Sequence, residues 1–303
     1  MFPQPHNTPY LLDTIDGALL ACSCRKLLQQ SPTNYARIRR SSDNTEAYVY
    51  QFSDFIYPTS PTDNVAGSIS DFVGGGNAFV RQFIDHVGVK NGNQTTANLQ
   101  PKLTNDGLGK ISTLHFQNNT TQQLDYGSGI VANLTGADKK FSIVLCFKHG
   151  TSITAASPSL ISMFNTLSGF TGLDLILRVP TNNNQTFEIR FGNGTNFSVL
   201  RCSEVFPVNT IYSLVVTYDG TIDTAATNRV EFFANNTLLS HSQISSGGSF
   251  PFDISAPPQN LTMPWVGGSS YSGYLGEFII FDKVLDTSEI DIIYKQHKNY
   301  FGA

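Results

Sequence analysis

Acidic side chains are the residues of this 303-residue chain best suited to chemistry, since two carboxyl groups a few ångströms apart can protonate a leaving group and activate an attacker. Cleaving a glycosidic bond needs such a pair, about 5–5.5 Å apart for retention and about 6.5–9.5 Å for inversion. The acids in or beside strand-like runs are Asp174, Glu188, Glu204, Asp219, Glu231, Glu277 and Asp282, and each stands alone in sequence. No Glu-x-Asp-x-Glu alternation sets two of them on one strand face. Pairing across strands, for instance Glu231 with Glu277, is the route left open, against the plainer reading that isolated strand carboxylates point to solvent.

Other chemistries have less to work with. The six histidines, His6, His86, His115, His149, His241 and His297, are dispersed without a metal-binding spacing, and no Gly-x-Ser-x-Gly elbow presents a serine nucleophile. Asp219 in Tyr218-Asp-Gly and Asp223 could hold calcium, but Asp-Gly is first of all a turn dipeptide, so no cofactor is expected. Gly74-Gly75-Gly76 lacks the Gly-Lys-Ser/Thr and helix start of a phosphate loop and reads as a helix-to-strand connection. For a bound ligand the candidates are Trp265, Tyr271 and Tyr274, near Gly267, Gly268 and Gly273, where backbone can approach a sugar. The alternative is that Trp265 fills the core and the tyrosines cap a sheet edge.

Composition narrows the partners. Charged residues are 14% of the chain, the formal net charge is −4, and Lys and Arg are scattered apart from Arg37, Arg39 and Arg40. A phosphate-tracking protein needs a basic stripe, so nucleic acid is not expected as a partner, and the arginine group reads as a strand with solvated or ion-paired edges. No run of about 18 apolar residues spans a membrane, and Met1-Phe-Pro-Gln-Pro-His lacks the basic and apolar regions of a signal peptide. Cys22, Cys24, Cys146 and Cys202 are expected as buried free thiols.

The elements that must position these residues are mostly strands. Period-two runs bounded by Gly, Asn and Asp recur at Ile111–Gln117, Lys140–Lys148, Ser159–Asn165, Asp174–Val179, Thr186–Phe191, Phe197–Cys202, Ile211–Gly220, Arg229–Asn236, Trp265–Gly268 and Tyr274–Asp282. In Lys140–Lys148 the positions Phe141, Ile143, Leu145 and Phe147 share one face while Val144 and Cys146 sit on the other, predicting a central strand covered on both sides. Residues 1–10, with three prolines, read as an extended arm suited to docking on a neighbour. An amphipathic helix is expected over Asp13–Gln29 from Ile15, Leu19 and Cys22, and a shorter one over Asp63–Val73. Tyr35–Tyr50 reads as one or two strands and Ala78–His86 as another. Asp286 with Glu289 forms a capping box for a last helix that turns Ile290, Ile293 and Tyr294 to the sheet.

The order and spacing of the last ninety residues, from Ile211-Tyr-Ser-Leu-Val-Val-Thr-Tyr-Asp-Gly to Asp286-Thr-Ser-Glu-Ile-Asp-Ile-Ile-Tyr, resemble the laminin-G-like, concanavalin A-like jelly roll. That resemblance implies an all-β antiparallel sandwich and glycan or protein binding more than cleavage. A second resemblance covers about residues 11–117. Leu11-Leu-Asp-Thr-Ile-Asp-Gly-Ala-Leu-Leu-Ala, Arg37-Ile-Arg-Arg-Ser-Ser-Asp-Asn, Ala78-Phe-Val-Arg-Gln-Phe-Ile-Asp and Asn98-Leu-Gln-Pro-Lys-Leu are similar to the N-terminal part of the α-L-arabinofuranosidase B catalytic domain, segments of which also precede jelly rolls in phage and viral structural proteins. The chain departs from that family in Ile84-Asp-His-Val-Gly and in lacking its vicinal cysteine pair.

The organisation expected is therefore an arm over 1–10, an α/β elaboration over 11–110 packed on the sandwich, and a jelly roll over 111–303. The function expected is a non-enzymatic virion structural subunit, self-associating, contacting other virion subunits and binding host glycans. The alternatives are a glycoside hydrolase related to the arabinofuranosidases or a free carbohydrate-binding module. The expected location is the virion, or else the cytoplasm or an unconventional export route.

Overall fold

The computed structural model describes residues 9–30, 34–50, 55–58, 67–88, 90–109, 111–117, 121–150, 159–165, 170–178, 186–264 and 271–303. In chain order these begin with a single-turn helix α1 (Leu11–Thr14) and strands β1 (Ala18–Ser23), β2 (Asn34–Arg40), β3 (Glu46–Tyr50), β4 (Phe55–Pro58) and β5 (Gly67–Ser68). Helix α2 (Ile69–Val73) leads to β6 (Ala78–Phe83), β7 (Gly92–Asn93), β8 (Lys102–Leu108), β9 (Ile111–Phe116) and β10 (Leu124–Asp125). After helix α3 (Val131–Leu134) come β11 (Lys140–His149), β12 (Ser159–Asn165), β13 (Thr171–Arg178), β14 (Thr186–Asn193), β15 (Phe197–Cys202) and β16 (Ile211–Asp219). The chain closes with β17 (Val230–Ala234), β18 (Thr237–Leu238), β19 (His241–Gly247), β20 (Thr262–Met263), β21 (Gly273–Phe281) and helix α4 (Thr287–Phe301).

Two antiparallel sheets face each other. In the first, β21 has β11 on one side and β1 and β9 end to end on the other, and β16, β17 and β18 follow beyond β11. In the second, β20, β12, β13, β14, β15 and β19 lie side by side. Phe141, Ile143, Leu145 and Phe147 of β11 share one core with Leu173, Leu175 and Leu177 of β13 and Phe187, Ile189 and Phe191 of β14. This is the concanavalin A-like jelly roll, with β2, β3, β6 and β8 forming a further sheet joined to the first through the β8–β9 ladder.

β11 is central as its doubly apolar pattern predicts. Its second face, with Val144, packs with Val215 of β16, Ile279 of β21 and Ile290 and Ile293 of α4. The helix is capped as the sequence predicts: Asp286 accepts from the Ser288 and Glu289 amides, Glu289 accepts from the Asp286 amide, and Gly302 ends it at φ 81°. Replacing Asp286 by alanine is expected to lower stability by about 1 kcal/mol in thermal unfolding, and no change would show that α4 is held by its apolar face alone. Tyr294 is only half-buried; Gln296 and His297 take the fully enclosed positions instead.

The helix expected over Asp13–Gln29 does not form. Gly17 stands at φ 82°, where an added Cβ would meet the Asp282 carboxylate, and the chain after it pairs with β21 as β1. Leu20, Ala21 and Cys22 are buried consecutively, as a strand covered on both faces requires and a helix with one apolar stripe does not. Cys22 and Cys24 thus belong to an extended segment, and all four cysteines are free and buried. The helix expected over Asp63–Val73 is confined to α2, capped by Ser68 and Asp71 and stopped by Gly74 at φ 55°, while Asp63 lies outside the described residues. The expected arm lies outside them too, except residues 9 and 10; the Pro9 carbonyl accepts from Gln296 Nε2 at 3.2 Å. Tyr35–Tyr50 resolves into the β2–β3 pair, where Arg37 meets Glu46 and Arg40 meets Asp43 at 2.6 Å.

Candidate functional site

The outward face of the second sheet carries charge among apolar neighbours. In β13, Leu173, Leu175 and Leu177 turn to the core, so Asp174 and Ile176 turn away from it; in β14 the same alternation turns Glu188 and Arg190 outward. Register sets Asp174 opposite Arg190, and Glu188 opposite both Ile176 and Arg201 of β15. Asp174 and Glu188 are therefore diagonal neighbours, a relation that spans about 7–8 Å between backbones and suits a working carboxyl pair, roughly 5–9.5 Å.

Their environments separate them. Asp174 is 3% exposed. Burial pushes its pKa up to about 6 and the charge of Glu188 adds to the rise, against Ser159, Arg190 and Ser162, which favour the ionised form. One of its oxygens, Oδ1, has no hydrogen-bond partner. Glu188, 1% exposed, accepts from Arg190 Nε at 2.8 Å and from Arg201 Nε and Nη2 at 3.1 and 2.8 Å. A carboxyl that keeps its proton beside one held by two guanidiniums is the division of labour expected of an acid and a fixed negative charge.

A second cluster resembles a nucleophile relay in order but not in setting. Glu277 of β21 is fully buried. It accepts from Ser23 Oγ at 2.7 Å, from Arg25 Nη2 at 2.9 Å and from His297 Nε2 at 2.8 Å, while His297 Nδ1 lies 2.8 Å from Ser213 Oγ. Burial alone would raise the Glu277 pKa, yet Arg25 and His297 hold it down at about 2. Burial lowers the pKa of His297, so the ring is neutral, donates from Nε2 to the carboxylate and accepts the Ser213 hydroxyl proton at Nδ1. Ser213 is 2% exposed, so this serine, histidine and glutamate fasten α4 to the first sheet. Neither Ser23 and Arg25 nor Ser213 and His297 announce themselves in sequence, because their partners are more than 80 residues away or on another element.

Neutral buried histidines make the fold acid-sensitive. Desolvation lowers His86 and His149 to about 4. A histidine that titrates near 6.5 unfolded and near 4 folded takes up protons preferentially on unfolding, so its contribution is present above pH 6.5 and lost as pH falls toward 4. The melting temperature is expected to drop between pH 7 and pH 4.5, and less in His149→Gln; a pH-independent melting temperature would contradict this burial.

The other predicted residues fall elsewhere. Trp265 lies outside the described residues. Tyr271 is 4% exposed and its hydroxyl donates to the Lys148 carbonyl at 3.1 Å. Tyr274 is half-buried between the His115 ring, centroid 4.4 Å away, and Lys148 Nζ, 4.5 Å from its centroid. Glu231 is exposed on β17 and is not brought to Glu277. Asp219 receives Lys140 Nζ at 2.9 Å and the Thr221 amide and hydroxyl, and Asp223 receives Arg229 Nη2 at 3.0 Å. Among the described residues no group of three His, Cys, Asp or Glu side chains is placed to hold a metal ion, and no helix is long and apolar enough to cross a membrane.

Solved structures of α-L-arabinofuranosidases share this architecture. An arabinofuranosidase complexed with arabinofuranosyl-α-1,2-xylobiose superposes with a TM-score of 0.57 at 12% identity, covering 95% of this chain and 64% of that one. A mutant GH54 α-L-arabinofuranosidase soaked with 4-nitrophenyl α-L-arabinofuranoside gives 0.59 at 11% identity over the same shares. This chain thus spans less than two thirds of their length. No protein-family model matches the chain, and no curated protein does. At such identity the likeness defines the fold, a sandwich of the arabinofuranosidase kind. It corrects the expectation of a non-enzymatic chain, since the solved structures that match over 95% of the sequence are those of α-L-arabinofuranosidases.

Proposed function

We propose that the chain binds a saccharide over the outward face of β12–β15 and hydrolyses a glycosidic bond there, with Asp174 as the proton donor. The observation that carries this is Asp174 itself: buried, holding its proton to about pH 6, with one oxygen unpartnered and Glu188 diagonally across. A glycosidic oxygen needs a proton as its bond breaks, and an acid with a pKa near the working pH supplies it most effectively. Glu188, fixed by Arg190 and Arg201, faces the positive charge that develops on the sugar ring. The named ligands of the structural neighbours make an arabinofuranoside the first substrate to try.

A second reading is saccharide binding without turnover, favoured by the arginines that already occupy both oxygens of Glu188. The virion-subunit reading has no comparable observation behind it. Incubation with arabinofuranosyl-α-1,2-xylobiose, read as free arabinose, separates the two. Release by the parent, reduced about 10²–10⁴-fold in Asp174→Asn, supports hydrolysis. Binding without release supports the second reading, and neither binding nor release removes both.

A further inference from the structure

On the side of the molecule away from the Asp174 face, a single register row crosses six strands, from the further sheet into the first. Arg39 of β2 pairs with Phe79 of β6, Phe79 with Lys102 of β8, Lys102 with His115 of β9, His115 with Tyr274 of β21, and Tyr274 with Lys148 of β11. Directly opposed residues share a face, so cations and rings are interspersed in one line across the strands. The contacts agree: Arg39 lies 5.1 Å over the Phe79 ring, His115 and Tyr274 stack at 12°, and Lys148 Nζ lies 4.5 Å from the Tyr274 centroid. All six side chains are half-buried.

Among the described residues none of the three cations has an acidic partner. Arg39 donates to Gln100 Oε1 and Asn44 Oδ1 and to main-chain carbonyls, and Lys102 and Lys148 make no ion pair with a described residue. The two lysines lower the pKa of His115, after desolvation, which places the three groups in one electrostatic neighbourhood. Glu277, on the same face of β21, is enclosed by Arg25 and His297. Phe301 of α4 packs with Cys146 and Leu108, one row away, with Tyr274 at its margin, and the helix ends there. At about 4.8 Å per strand, the cations stand about 10 Å and about 14 Å apart.

We infer that this row, Arg39, Lys102, His115 and Lys148 with Phe79 and Tyr274 between them, binds a linear acidic saccharide bearing carboxylate or sulfate groups, laid across the strands. Three cations in a line, none with an acidic partner among the described residues, match a ligand with spaced negative charges. A single-stranded nucleic acid binds by stacking bases on free aromatic faces, and both faces of Tyr274 are taken, by His115 and Lys148. An extended peptide binds by adding to a sheet edge, and β8, β9, β21 and β11 are each paired on both sides along this row. What remains is a polyanion held through its charges.

The test is calorimetric binding of a heparin-derived hexasaccharide, an oligogalacturonate and a single-stranded oligonucleotide of equal charge to the full chain at low salt, with Lys102→Ala, Lys148→Ala, their double variant and Lys298→Ala. The expected result is binding of one or both saccharides, weakened about fivefold by each lysine change, weakened further by added salt and unchanged in Lys298→Ala, with all variants melting like the parent. The two saccharides report whether sulfate or carboxylate is preferred. No saccharide binding, equal binding by the double variant, or equal binding of the oligonucleotide would overturn the inference.

Discussion

Replacing Arg25 with methionine is expected to destabilise the fold by about 3–5 kcal/mol, the cost of leaving a buried charge without its partner. Arg25 is 1% exposed and meets Glu277 Oε2 at 2.7 Å and Oε1 at 2.9 Å, while its Nη1 donates to Gln296 of α4 at 2.5 Å. Removing the guanidinium leaves Glu277 with only the neutral donors Ser23 and His297, and frees α4 from the strand-end that β1 presents. Changing Glu277 to leucine in the same chain is expected to recover part of the loss, although the Ser23 and His297 donors are then left without an acceptor. The pair also has a pH signature. Glu277 is held at about 2 against an ordinary 4.5, so its contribution is complete above pH 4.5 and is lost as pH falls toward 2. Urea unfolding of the single and double variants measures the coupling, and a single-variant loss under 1 kcal/mol would mean that the cluster is not what binds α4 to the sheet.

Asp174→Asn is expected to move function and stability in opposite directions. The carboxyl titrates near 6 in the fold against an ordinary 3.8, so its folded-state advantage is present below pH 3.8 and is lost as pH rises through 6. Above pH 6 the parent then carries a buried, partly uncompensated carboxylate, a cost of about 3 kcal/mol for such a separation of pKa values. Asparagine keeps the shape and a hydrogen bond toward Ser159 but ionises at no pH. The variant is expected to be more stable than the parent at pH 8 by about 1–3 kcal/mol, the difference closing toward pH 4. It cannot donate a proton, so arabinose release falls at every pH. A structural aspartate would give the reverse pattern, with the variant weaker at pH 8 and turnover unchanged.

Much of the sandwich was legible because its signals are local. Phe197–Cys202 coincides with β15, the doubly apolar β11 is central, and the Asp286–Glu289 box begins α4. β1 was misread because Ile15, Leu19 and Cys22 fit a helical spacing, and only the pairing of Ala18–Ser23 with β21, some 250 residues later, makes it a strand. The candidate site was half legible. Leu173-Asp-Leu-Ile-Leu and Phe187-Glu-Ile-Arg-Phe each carry an acid within an apolar alternation, which marks an outward position but not a neighbour. The β13–β14 register, which sets Asp174 beside Arg190 and diagonal to Glu188, is not written in either strand alone. The expectation that strand carboxylates face solvent fails for Asp174, Glu188 and Glu277, all buried and two of them paired with arginine from other strands or loops. The row from Arg39 to Lys148 was invisible for the same reason, since its members come from six separate strands.

The most direct test is the titration of Asp174 itself, followed by ¹³C NMR of aspartate carboxyl carbons in the parent and in Asp174→Asn, with and without arabinofuranosyl-α-1,2-xylobiose. A resonance that titrates near pH 6, is absent from the variant and shifts when the saccharide is added is the predicted result. A resonance assigned to Asp174 that titrates near 3.8 and ignores the saccharide would contradict the assignment of this carboxyl as the proton donor of a saccharide site.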